Sequence, residues 1–379
     1  MKRLFAVGVV GLILLEAANV YFIMPLPGSQ RIRSIDTAYL IYQWRWPLRT
    51  LLGGLGVLGA VAIWRTGTRR WLVPVGVLTA GAAGYVVNFR MAADQMFLAP
   101  RLVAMEPAAR NQVALDRLVV GVEVAGQARA YPLQFIGYHH QVRDTVAGQD
   151  LLVSYCTVCR TGRVFRPTVN GHLEAFRLVG MDHFNAMFED RTTGSWWRQA
   201  NGEAIAGPLK GTAMPEWPSR QVTLRRWLAL YPASLIMQGD PAFEAQYARD
   251  YAYENGTSRK SLTGTDPRSW QDKSWVVGIA VDGRSKAYDW NRLRAEGVVN
   301  DVIGTTPIVL ALGPDSASFF AFARPDSAGR FTLVGDSLRG PQGGYALNGR
   351  GPNGALVPIN ASQEFWHSWR TFHPETSQY

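Results

Sequence analysis

Apolar and polar positions fall into two textures that change near residue 90. Before it stand three long apolar runs: Leu4 to Met24 (LFAVGVVGLILLEAANVYFIM), Leu48 to Trp64 (LRTLLGGLGVLGAVAIW) and Trp71 to Phe89 (WLVPVGVLTAGAAGYVVNF). A bilayer-crossing helix needs about 20 mainly apolar residues, with a lower limit of about 17. The first and third runs meet that length and the second sits at its edge, so about three transmembrane helices are expected over residues 1–90. No small-x-small cleavage signal precedes Pro25, which favours an anchor over a cleaved leader. Beyond residue 90 the pattern alternates instead. VVGVEVAGQARAYPL, from Val119, swings between apolar and polar around a glycine turn and predicts a β-hairpin.

That hairpin text returns as VVGIAVDGRSKAYDW, from Val276. Gly121 matches Gly278, Tyr131 matches Tyr288 and Asp144 matches Asp301 at a constant spacing; after a one-residue deletion Gly148 meets Gly304. The ends also correspond, RRWLALYP with SWRTFHP, so that Trp227 answers Trp369 and Pro232 answers Pro374. The expected fold is therefore mainly β with a minor α part, an extracytoplasmic domain duplicated within itself and preceded by about three transmembrane helices. Residues 91–240 form the first repeat, 241–275 a polar connector and 276–379 a second, degenerate repeat. The period is far too long for a solenoid. Residues shared by the halves are expected to be structural, and residues found in one half only are candidates for chemistry.

Charge sets the expected orientation. Lys2 and Arg3 precede the first helix, and Arg65, Arg69 and Arg70 lie between the second and third; the opposing loop carries Arg31, Arg33 and Arg45. The positive-inside rule groups the first set on the cytoplasmic side. Three spans then place everything after Arg90 outside the cytoplasm, in a cytoplasmic-membrane protein facing the periplasm or cell exterior; two spans would reverse this. The net charge of +10 comes from scattered arginines, many flanking apolar runs. No basic element or nucleic-acid module gathers them, so no nucleic-acid partner is expected. Glu16 lies inside the first helix, where an ionisable side chain is costly and faces a bundle or an interface, near Asn19. Arg49 would snorkel from its helix end. The small residues of GGLGVLG and AGAAG suit close helix packing.

Both cysteines of the chain lie in SYCTVCRTG, as Cys156 and Cys159. A lone CxxC serves as a redox-active disulfide, as part of a metal site or as a staple. LLVSY reads as a strand and RTGRVFR as a turn into another, which is unlike a thioredoxin site at a helix start. Structural zinc wants four ligands, and no second cysteine pair exists. Two thiolates with a histidine and a thioether would suit a softer, copper-like ion. His139 lies one predicted strand upstream, in FIGYHHQVRD; Met181, His183 and Met187 lie in GMDHFNAMFED. Adjacent His139 and His140 cannot both face one side of a strand. Histidine and methionine are more often packing than ligands. His172 falls in a turn, and His367 and His373 in a terminal helix as surface or packing residues. The second half has no cysteine and puts Glu296 where the first has His139, so the first half is expected to carry the site.

ARAYPLQFIGYHHQVRDTVAGQDLLVSYCTVCRTGRVF, MFEDRTTGSWWRQANGEAIAGPL and the terminal EFWHSWRTFHPETSQY resemble the hallmark blocks of the family called domain of unknown function 3179, over roughly Leu98 to Tyr379. The resemblance implies a domain exported or anchored outside the cytoplasm, and carries family positions onto His139, Asp144, Tyr155, Cys156, Cys159, Met187, Asp190, Trp197 and Gln199. It supplies no activity. Departures are Tyr138 for the usual Trp, His140 for Glu, Thr157-Val158 for Pro-Leu and Arg160 for Gly.

The leading expectation is a membrane-anchored metal- or redox-site protein. Cys156 and Cys159 are thiolate ligands, His139 the third ligand and Met187 the fourth. Copper is favoured, with no cofactor certain, for electron transfer, metal delivery or an oxidoreductase reaction. Asp144, Tyr155, His183, Asp190, Trp197 and Gln199 form the supporting shell or pocket. One rival is a thiol–disulfide oxidoreductase using the same cysteines. Another is a non-catalytic binding domain with a static Cys156–Cys159 staple. Expected partners are the membrane and another membrane or extracytoplasmic redox or metal protein. Serine-hydrolase, phosphate-loop and HExxH motifs are absent.

Overall fold

The computed structural model describes residues 2–67 and 69–379. The chain divides into two compact units: residues 1–98 with 175–198 and 203–212, and residues 99–174 with 199–202 and 213–379.

Among the described residues the first unit holds three helices long and apolar enough to cross a membrane: α1 (Lys2–Tyr21), α2 (Ile35–Thr66) and α3 (Leu72–Tyr85), the last continued by a π-turn through Arg90. α2 starts well before its apolar run, so its 32 residues, about 48 Å at helical rise, outreach the hydrocarbon layer. Glycines set the packing of α1 on α2. A side chain at Gly59 would come within 2.3 Å of the Phe5 nitrogen, and one at Gly8 within 2.4 Å of the Gly56 nitrogen. Close backbone approach through small residues is how helices associate where lipid removes the hydrophobic drive. A four-stranded sheet (Phe176–Asp182, Asn185–Asp190, Trp196–Arg198, Ala204–Ala206) belongs to the same unit. It sits on the leading turns of α2: Tyr39 Oη donates to the Gly194 carbonyl at 3.1 Å, and Trp196 packs edge-on to Tyr39 with centroids 5.0 Å apart. Lys2, Arg3, Arg65 and Arg70 lie at the opposite helix ends.

In the second unit the duplication is written into the topology. The first repeat has a hairpin (Leu118–Val124, Gln127–Pro132), a short helix (Leu133–His139), a three-stranded meander (Gln141–Val146, Gln149–Cys156, Thr161–Phe165), a returning strand (Arg220–Thr223), a second helix (Leu224–Leu230) and a parallel closing strand (Leu235–Met237). The second repeat runs the same course through Trp275–Val281, Arg284–Asp289, Trp290–Glu296, Val298–Ile303, Thr306–Leu312, Phe319–Ala323, Ala361–Phe365, Trp366–Phe372 and the parallel Ser377–Gln378. Each repeat is interrupted after its meander, the first by the strands grouped with the helices and the second by a small sheet over Thr332–Ala346.

Shared residues explain why both halves close alike. Trp227 and Trp369 lie so tightly on Gly121 and Gly278 that an added side-chain carbon would come within 2.3 and 2.1 Å of the rings. Their indole N–H groups donate to Ser234 (2.7 Å) and Thr376 (2.8 Å), just after the matching prolines. Tyr131 donates to Asp144 at 2.7 Å, and Tyr288 to Asp301 at 3.0 Å. Asp144 and Asp301 also accept the next backbone N–H, from Thr145 and Val302, so each ties meander to hairpin.

Candidate functional site

The two cysteines sit at a four-residue break in the meander, Cys156 just before it and Cys159 within it. Cys156 ends one strand, opposite Thr161 at the start of the next, and residues 157–160 turn between them. Arg160 takes φ 59°, a left-handed conformation costly for a residue with a Cβ and easy for glycine. Its guanidinium is held in place by Gln363 (2.7 Å) and the Tyr253 and Glu254 carbonyls, over the Trp275 ring at 3.7 Å. Tyr253 Oη donates to the Thr157 carbonyl at 3.0 Å and meets Tyr155 Oη at 3.1 Å.

Both cysteines are fully buried and carry free thiols. Burial pushes the Cys159 thiol well above its ordinary value; the hydrogen bond and proximity to Cys156 add to this, and a bond with Ser368 opposes it. Ser368 donates to Glu364 at 2.9 Å, which in turn takes Arg163 at 2.7 Å. The turn also holds a cation. Burial draws the Lys273 ammonium below the usual lysine range, while the electrostatic pull of Cys159 and Cys156 works the other way. Lys273 Nζ donates to the Val158 carbonyl (2.8 Å) and the Leu262 carbonyl (2.6 Å), and lies 3.3 Å from His367 Nε2. Burial, with Lys273 next, lowers the His367 pKa to about 3, so this imidazole is neutral at ordinary pH.

Lys273, His367, Ser368 and Glu364 all come from the connector and second repeat. The first half supplies the sulfurs and the second their surroundings, an arrangement the expectation of a first-half site missed. His367, expected at the surface or in packing, lies against the CxxC turn. Its signal in the sequence was slight: one lysine before the second hairpin and one histidine beside the repeat's tryptophan.

His139 ends a helix rather than a strand, and His140 caps it with φ 61°. His139 is buried among Tyr138, Phe243 and Tyr247, with Nε2 2.8 Å from Tyr247 Oη. His140 Nδ1 bonds the Tyr138 carbonyl, and burial lowers its pKa to about 4. The helix does pack beside the turn, since a side chain at Gly137 would reach 3.2 Å from the Thr157 methyl. Gln199 lies beneath the sulfur-bearing strands, donating to Ser154 Oγ (3.1 Å) and the Thr161 carbonyl (3.0 Å). Asp144 is the Tyr131 partner described above.

Met187, His183, Asp190 and Trp197 belong to the other compact unit. Asp190 ties a hairpin there, accepting Thr193 N, Ser195 N and the Trp197 indole. His183 pairs with Asp182 at 2.6 Å. Met187 is a buried strand residue opposite Arg198. Among the described residues no three His, Cys, Asp or Glu side chains converge as a metal-binding group. For an ion held by Cys156, Cys159 and His139, the donor set stands at two sulfurs, with His139 Nε2 turned to a tyrosine.

The architecture defines a class: a duplicated sheet-rich domain on a chain with three apolar helices, a buried dithiol on one repeat and its polar surround on the other. The chain belongs to the family described as "Protein of unknown function (DUF3179)", whose model matches residues 98–376. No curated protein and no solved structure matches it.

Proposed function

We propose that the protein is a membrane-anchored thiol redox protein whose Cys156/Cys159 pair cycles between dithiol and disulfide, in a domain held outside the cytoplasm. The observation that carries this reading is the part-buried Lys273 ammonium bonded to the Val158 carbonyl between two free cysteines, a cation placed to favour a thiolate as it forms. We assign Cys156, at the strand end, as the attacking sulfur and Cys159, in the turn, as the resolving one. The Cys156 thiolate attacks a disulfide of a partner protein, forming a mixed disulfide and releasing one partner thiolate. Cys159, losing its proton, then attacks Cys156, closing the internal disulfide and releasing the second partner thiol. Two electrons pass to the partner and no metal is required. Because both sulfurs are buried, exchange needs the 157–160 turn to open, a local event of the kind loops undergo at modest cost.

The second reading is a copper-type site for electron transfer or delivery, with Cys156 and Cys159 as its thiolate ligands. The adjacent thiols favour it, as soft ions select thiolate. The experiment is thiol alkylation and intact-mass measurement on the full chain across a series of glutathione ratios, with elemental analysis on the same sample. A reversible loss of two protons' mass, absent in Cys156→Ser, supports the redox reading. A bound metal lost in Cys156→Ser replaces it with the metal reading. No metal and no reversible change removes both and leaves a static pair.

A further inference from the structure

The first unit contains a polar cavity of about 270 Å³ among its helix ends, and its chemistry is independent of the thiols. Its floor is an ionic cluster inside the helix bundle. Arg49 donates from Nε and Nη2 to both oxygens of Glu16 (2.6 and 2.7 Å) and from Nη2 to Asn88 Oδ1 (3.0 Å). Asn88 Nδ2 returns a bond to Glu16 at 3.0 Å. Ionisable groups in a span are expensive, and even paired ones mark functional places by default.

Two guanidiniums on the wall keep donors to spare. Arg45 donates from Nη1 to the Tyr42 carbonyl and lies over the Tyr42 ring at 3.5 Å, and it has no carboxylate partner among the described residues. Arg49 has a second terminal nitrogen outside the Glu16 and Asn88 bonds. On the same cavity, Asn19 Oδ1 is buried without a hydrogen-bond partner among the described residues. A buried orphan acceptor beside free guanidinium donors fits a ligand that brings both acceptors and a donor.

The cavity's depth selects the ligand. Trp44 and Trp46 are exposed on α2, and Trp64 is exposed near its other end. Trp46 and Trp64 are about 27 Å apart along a helix, close to the hydrocarbon thickness, as in aromatic belts at the two interfaces. Arg49 lies one turn inside the Trp46 belt and Arg45 beside it, so the cavity is at headgroup level. Facing charges nearly cancel: Arg45, Arg49 and Arg177 against Asp94, Glu16 and Glu189, with Arg177 spent on Asp94 (3.0 Å) and Glu189 (2.6 Å). A near-neutral site with two free cationic donors and one orphan acceptor matches a headgroup carrying a phosphodiester and a neighbouring N–H or O–H.

We infer that this cavity binds the headgroup of a membrane phospholipid whose phosphodiester is taken by Arg45 and Arg49 and whose amine or hydroxyl donates to Asn19. Phosphatidylethanolamine and phosphatidylglycerol have such a donor; phosphatidylcholine has none. The test uses the full chain in nanodiscs of equal phosphatidylethanolamine and phosphatidylcholine, extracted gently and read by native mass spectrometry. The same readings are made for Arg45→Gln and Asn19→Leu and with free glycerophosphoethanolamine. The expected result is selective retention of phosphatidylethanolamine, reduced about tenfold in each variant, with circular dichroism and melting of the variants unchanged. Equal retention of both lipids, or undiminished retention in both variants, overturns the inference. Binding of the free headgroup without retained lipid overturns the lipid as source and assigns the cavity to a soluble phosphodiester.

Discussion

The two repeats share one course of chain and differ at one turn. In the first, residues 156–160 carry the cysteines; in the second, the matching turn at residues 313–318 is longer and opens on Gly313-Pro314. It is closed by Asp315, which accepts Ser318 N and Ser318 Oγ (2.9 and 2.6 Å) and Thr223 Oγ1 (2.9 Å). Both turns dock on the partner repeat at equivalent points: Phe365 N donates to the Cys159 carbonyl at 2.9 Å, and Thr223 N to Ser318 Oγ at 3.0 Å. The reciprocal docking is thus a structural device common to both repeats. What distinguishes the first turn is the pair of sulfurs and the Lys273 ammonium bonded to the Val158 carbonyl between them. The second turn satisfies itself through a carboxylate and hydroxyls, and burial asks nothing more of it.

The comparison can be broken at the shared residues first. Gly121→Ala and Gly278→Ala should each destabilise the domain by about 3 kcal/mol, since the added carbon meets a buried indole. Denaturant unfolding should show similar losses for both; a large effect in one half only would end the equivalence. Next comes a half-specific position. His140, at φ 61°, stands where the second repeat has Gly297 at φ 71°. Its pKa falls from an ordinary 6.5 to about 4, so below pH 6.5 the unfolded chain binds a proton the folded chain refuses. Its contribution is fully present above pH 6.5 and is lost as pH falls through about 4, a swing of roughly 3 kcal/mol. His140→Gly should flatten the acid side of the stability curve, and an unchanged curve would show that His140 is not held neutral. Smallest are the ties between meander and hairpin. Asp144→Asn and Asp301→Asn should each cost about 1–2 kcal/mol by melting. Asp301 should cost more at low salt, because it also pairs with Lys286 at 2.7 Å.

Much of this frame was readable in the chain. Apolar length marked the three helices, although α2 begins about a dozen residues before its apolar run because its leading turns carry a sheet rather than lipid. Alternation and the repeated Gly, Tyr, Asp and Trp positions marked the duplication, because each is a close contact that only those residues satisfy. Glu16 was visible as a cost, but its partners Arg49 and Asn88 lie on other helices and no local pattern links them. The same limit hid Lys273 and His367. Sequence spacing locates a CxxC, yet what surrounds it is delivered by the other repeat across more than a hundred residues. His139 was misplaced onto a strand because seven residues are too few for helical periodicity to show.

The most direct test of the central claim compares the wild type with Lys273→Met in a redox-buffered thiol titration of the full chain, with elemental analysis alongside. If Lys273 favours a thiolate as it forms, the wild type should pass reversibly between dithiol and disulfide. The variant should then react about tenfold more slowly with a disulfide reagent at neutral pH, with its melting temperature little changed. Equal rates in the two proteins, or thiols that never pair, would contradict a redox role for the Cys156/Cys159 turn.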